Sequence, residues 1–167
     1  MLASITHGAP TERTPLLIAH GLYGSARNWG AIAKRLSDSR MVTAVDMRNH
    51  GESPWFDSHS YPDMARDLAG ALSEPTDVLG HSMGGKAVMT LALTQPQNLR
   101  RLIVADIAPV PYTHTQRHMI EAMQRVDLSR VETRRDADEQ LAAWVEEPSV
   151  RAFLLQSLDV KARRWRL

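Results

Sequence analysis

Short apolar runs alternate along the chain with longer stretches in which apolar residues recur every three or four positions. Residues 15–19 (Pro-Leu-Leu-Ile-Ala), 41–45 (Met-Val-Thr-Ala-Val), 77–80 (Asp-Val-Leu-Gly) and 102–105 (Leu-Ile-Val-Ala) read as four strands. Between them, Trp29, Ile32, Ala33 and Leu36 recur at helical spacing, as do Met64, Leu68 and Leu72, and then Val88, Leu91 and Ala92. Pro62 suits the first turn of the second of these helices. Strands alternating with helices predict a parallel sheet with helices on both faces. The near-continuous apolar strands agree, because such a sheet is buried on both sides.

The pattern changes after about Pro111. From Tyr112 onward there are three helical stripes, Met119/Ile120/Met123, Leu141/Trp144/Val145 and Val150/Phe153/Leu154, and no clear strand. The chain therefore divides into an α/β part, residues 1–111, and a helical part, residues 112–167. The last seven residues hold four cations and no helix-ending signal, so the chain is expected to stop without a closing element.

Composition narrows the function classes. A length of 167 residues suits one ordinary domain, and 43% hydrophobic with 23% charged residues is globular. A formal net charge of +1 points no strong field at nucleic acid or membrane. The absence of cysteine excludes disulfides, thiolate metal sites and a cysteine nucleophile. Residues 1–14 lack the apolar core of a signal peptide, and no apolar run is long enough to span a bilayer, so the expected compartment is the cytoplasm.

Gly80-His-Ser-Met-Gly84 has the form G-x-S-x-G and lies where a strand gives way to a helix. That context is what a nucleophile elbow requires: a strained turn presents the Ser82 hydroxyl, the glycines remove colliding side chains, and the helix N-terminus favours a developing oxyanion. The alternative is an ordinary strand-to-helix turn with a serine cap. His20-Gly-Leu-Tyr-Gly24 directly follows the first strand and can aim a backbone N–H at the same point. Leu22 and Met83 are the two candidate donors of an oxyanion hole. The alternative is a tight turn that needs glycine only for its backbone angles. Asp106 ends the fourth strand, 24 residues after Ser82, at the sheet edge where functional groups gather in open α/β sheets. It can orient a histidine or simply cap a turn. Asp46-Met-Arg-Asn-His-Gly-Glu-Ser53 reads as structural, with Asp46 and Arg48 forming a hydrogen-bonded loop scaffold and Gly51 a turn.

Four blocks together resemble the small abhydrolase-type esterases, bacterial and mitochondrial acyl hydrolases of the α/β-hydrolase superfamily. They are residues 20–29, residues 46–53, Gly80-His-Ser-Met-Gly-Gly85 and Val104-Ala-Asp-Ile-Ala-Pro109. The resemblance runs from about Leu2 to the last residue. It implies the α/β-hydrolase fold, a serine carboxylesterase with Ser82 as nucleophile and Asp106 as triad acid, a helical lid beginning at Tyr112, a small-molecule ester or acyl substrate, and neither cofactor nor metal. It also implies a triad histidine in a later Gly-His motif, so the C-terminal strands are expected to be missing and a complementing C-terminal segment becomes a candidate partner. Perhydrolase, thioesterase and acyltransferase activities stay open, as does a catalytically incomplete fragment. Among His7, His20, His50, His59, His81, His114 and His118, only His114 and His118 are plausible stand-ins for the base, and loop or surface positions are expected of all seven. His114, His118 and Glu121 form a weak zinc candidate, with a solvated helix face as the better reading. Loss of the later strands would leave an open, apolar sheet edge prone to aggregation.

Overall fold

The computed structural model describes residues 1–113 and 115–166, which fall into two compact units, Met1–Val110 and Pro111–Leu167. The first unit is built on a five-stranded sheet of β1 (Ser4–His7), β2 (Leu16–Ala19), β3 (Val42–Val45), β4 (Thr76–His81) and β5 (Leu99–Ala105), in the order β1-β3-β2-β4-β5. β1 is antiparallel to β3, and the other pairings are parallel. Leu16 stands beside Val42 and Asp77, and Ile18 beside Ala44 and Leu79, so the register assigns every inward residue to one of two faces. One face packs Leu16, Ile18, Val42 and Ala44 against Ala26 and against Ala33 of α1 (Gly30–Leu36). The opposite face packs Leu17, Val45 and Val78 against Met64 and Leu68 of α2 (Tyr61–Ala71) and Val88 and Leu91 of α3 (Met83–Thr94). Each Leu, Ile, Val or Met among them, once buried, contributes about 1.5–3 kcal/mol.

In this unit the predicted strands and helices are present, with three differences. β1 was not anticipated: only Ile5 is a large apolar residue in Ser4–His7, and the strand lies at the sheet edge, where alternation is weak. β5 is not buried on both sides. It forms the opposite edge, and its central Leu102 and Ile103 are 40% and 41% exposed. The stripe predicted for α1 is buried only at Ala33, while Ile32 and Leu36 are exposed. α2 follows its sequence signals closely: Ser60 accepts a hydrogen bond from the Asp63 N–H and Pro62 stands in the first turn.

In the second unit, α4 (Arg117–Gln124), α5 (Arg134–Leu141) and α6 (Pro148–Leu154) surround a core of Met123, Val131, Ala137, Leu141, Val145, Leu154 and Leu158. A capping box between Thr133 and Asp136 starts α5. Contrary to the strand-free expectation, β6 (Leu158–Asp159) and β7 (Arg164–Trp165) pair antiparallel. Two-residue strands carry no periodicity to read. The cationic tail is also held within its unit: the Trp165 indole donates to the Met123 carbonyl at 3.0 Å. Among the described residues, no helix is long and apolar enough to cross a membrane.

Candidate active site

Four parallel strands bring four consecutive loops to one edge of the sheet. β2 ends before His20, β3 before Asp46, β4 before Ser82 and β5 before Asp106. Parallel pairing forces this: the carboxyl ends of the strands lie together, whatever the loops contain.

Ser82 joins β4 to α3 with φ 50 and ψ −115, a backbone state that L side chains rarely adopt. Its own N–H donates to the Ala105 carbonyl, and its carbonyl accepts from Lys86 N–H, so the turn is held from both sides. The Ser82 side chain caps nothing, which sets aside the serine N-cap alternative. Close approach explains the glycines around it. A Cβ on Gly80 would lie 2.3 Å from the Gly84 carbonyl oxygen, and one on Gly84 would lie 2.4 Å from the Ala19 oxygen and 2.5 Å from the His20 oxygen. One on Gly85 would meet Ile107 at 2.4 Å.

The turn at residues 21–24 sits directly beside Ser82. A Cβ placed on Gly21 would be 3.2 Å from Ser82 Cβ and 3.0 Å from His81 Nδ1. Gly24 N–H donates to the Gly21 carbonyl at 3.0 Å, closing the turn, and Tyr23 takes φ 62 within it. Among the described residues, the Leu22 N–H makes no backbone hydrogen bond. Met83 opens α3, and the first N–H groups of a helix have no partner inside it. Both candidate donors therefore lie on segments next to the serine: Leu22 follows Gly21, which borders Ser82, and Met83 follows Ser82 in the chain.

Asp106 has φ 56, a left-handed conformation that aspartate tolerates. Its carboxylate is 86% exposed and lies 3.6 Å from His81 Nε2. His81 also packs edge-on against Trp29. Its ring and Ser82 both border Gly21, so the simple alternation of strand side chains fails at this turn.

The loop at residues 46–53 is the scaffold expected, but with different partners. Asp46 accepts from Ala26 N–H at 2.7 Å and Glu52 N–H at 3.0 Å, while Arg48 makes a two-point ion pair with Asp67 of α2 rather than with Asp46. That carboxylate holds the Arg48 guanidinium above its ordinary pKa. Gly51 has φ 54 and lies against Asp46, where a Cβ would be 2.3 Å from its carboxylate. Two of the histidines, His20 and His50, lie in loops as expected but are buried there. Burial lowers the pKa of His20 and takes that of His50 down to about 4, so both rings are neutral at physiological pH. His59 is lowered by partial burial and by Arg48. Burial pushes the Tyr23 phenol up.

Of the two stand-in bases, His118 is exposed on α4 and His114 falls outside the described residues. The zinc trio therefore also falls partly outside them, and among the described residues no group of three or more candidate ligands could hold a metal ion.

The strand order and the strained serine turn define the class of fold, and comparison with known proteins agrees. The chain belongs to the alpha/beta hydrolase fold family, whose model matches residues 14–162. It is 43% identical over 160 residues to the sn-1-specific diacylglycerol lipase ABHD11 of Danio rerio, covering 89% of this chain and 50% of that protein. It is 39% identical over 152 residues to Esterase YbfF of Escherichia coli (strain K12), covering 87% and 59%. A solved marine microorganism esterase superposes with a TM-score of 0.86 at 38% identity, covering 95% of this chain and 64% of that one. The chain thus spans about half the length of the curated relatives it matches.

Proposed function

We propose that this chain contributes the nucleophile and oxyanion hole of a serine ester hydrolase. The observation that carries the reading is Ser82 at φ 50 between β4 and α3, with the Leu22 turn against it and α3 beginning at Met83. In this reading Ser82 Oγ attacks an ester carbonyl. The Leu22 and Met83 N–H groups hold the oxygen as it becomes negative, and water later releases the acyl group. Asp106 orients the histidine that takes the serine proton and stabilises its charged form. None of the described histidines is assigned that role: His20 and His50 are committed to backbone partners, and His81 is fixed beside Trp29. The exposed carboxylate of Asp106 remains open to an imidazole from elsewhere.

The substrate class is a small-molecule acyl ester. The similarity to proteins named as an esterase and a diacylglycerol lipase supports it. The test is hydrolysis of p-nitrophenyl esters by the full-length protein with and without Ser82→Ala. Loss of about a thousandfold or more in kcat is expected. Unchanged turnover would remove Ser82 from the chemistry.

A further inference from the structure

His20 and His50 each hold a backbone group of the other's loop. His20 Nδ1–H donates to the Gly21 carbonyl at 2.7 Å, which leaves Nε2 as the acceptor of Met47 N–H at 2.9 Å. His50 Nδ1–H donates to the Arg48 carbonyl at 2.9 Å, and its Nε2 accepts Tyr23 N–H at 3.2 Å. The rings meet edge-on with centroids 5.1 Å apart. Both partners of each ring fix its tautomer: a carbonyl demands a proton on Nδ1, and an amide demands a lone pair on Nε2. An imidazolium has no such lone pair, so a protonated ring would oppose N–H to N–H.

We propose that His20 and His50, as a reciprocal pair of neutral imidazoles, are positioning residues that lock the turn carrying the Leu22 N–H, and that protonating either ring releases that turn. This rests on the reading of Leu22 as an oxyanion donor. The groups facing His20 are Asp46, His81 and His50, and those facing His50 are His20, His59, Asp46 and Arg48. Burial outweighs the groups that favour the charged rings, which are the accepting carbonyls of Gly21 and Arg48 and the Asp46 carboxylate. The Tyr23 bond acts one residue from Leu22, so it fixes the peptide that joins them.

The direct test is nitrogen NMR of the unmutated protein in a pH titration. The expected result is an Nδ1–H tautomer for both rings at neutral pH. The Leu22, Tyr23 and Met47 amide signals should then move together as pH falls toward the His50 midpoint of about 4. In His50→Gln, whose side-chain oxygen can accept from Tyr23 without titrating, the coupled movement of Leu22 and Tyr23 should vanish. Fluorophosphonate labelling of Ser82 in the full-length protein should slow roughly tenfold in His50→Ala and recover in His50→Gln, the size expected when a donor is misplaced rather than removed. An Nε2–H tautomer, a Leu22 amide that stays still while His50 titrates, or a His50→Ala variant that labels as fast as the parent would overturn the inference. Coupled amide shifts in a parent protein that never labels at Ser82 would support the brace and overturn the reading of Ser82 instead.

Discussion

The two sides of Ser82 are built differently. Toward β2 and β3, the loops at residues 20–24 and 46–53 are largely buried and bonded to each other through His20 and His50, while Asp46 holds the Ala26 N–H just beyond the first of them. Toward β5, the strand is a sheet edge with exposed apolar residues, and Asp106 stands largely in solvent. The proposed oxyanion half is therefore preorganised within this chain, whereas the proposed acid half has only a carboxylate on a left-handed residue to offer. Preorganised donors are effective because they are fixed before charge develops, and the braced side has that property.

The contrast can be broken at several points. The largest structural effect is expected from Gly84→Ala, which drives a methyl group into the Ala19 and His20 carbonyls at contacts under 2.6 Å. Backbone cannot yield as a flexible side chain does, so a loss of about 3 kcal/mol or more is expected in denaturant unfolding. Acid should come next. His50 is lowered from 6.5 to about 4, so between those values the unfolded chain binds a proton that the folded chain does not. Stability is full above pH 6.5, falls as pH drops toward 4, and levels off below; with about 1.4 kcal/mol per pH unit the loss is about 3 kcal/mol. Unfolding of His50→Gln measured across the same window should show that much less pH dependence. Asp46→Ala removes the acceptor of two backbone N–H groups, Ala26 and Glu52, and should cost about 2 kcal/mol. At the other end of the scale, Asp106→Asn alters an exposed side chain and should change stability by less than about 0.5 kcal/mol. If Asp106→Asn destabilised as much as Asp46→Ala, the distinction between a braced and an open side would fail.

Much of this organisation was legible in the residues. The alternation of strands and helices, the Gly-His-Ser-Met-Gly turn and the positions of Leu22 and Asp106 all follow from local pattern, because a buried parallel strand and a helix leave distinct periods. The brace was not read. Spacing cannot distinguish a buried histidine from an exposed one, since its role depends on which loop the fold lays beside it. A signal was present all the same: His20-Gly21 and His50-Gly51 are two His-Gly pairs, each following one of two strands that become neighbours. The exposure of Leu102 and Ile103 does not follow from the apolar run of β5 itself, because an edge strand and a central strand can share one apolar sequence, whereas an open apolar sheet edge is what the family resemblance led one to expect.

The most direct measurement is the structure of the adduct formed when a fluorophosphonate reacts with the full-length protein. The account predicts phosphorus bonded to Ser82 Oγ, with the phosphoryl oxygen about 3 Å from both the Leu22 and the Met83 nitrogen. A phosphonate on another residue, or an oxygen at Ser82 turned away from those two amides, would contradict it.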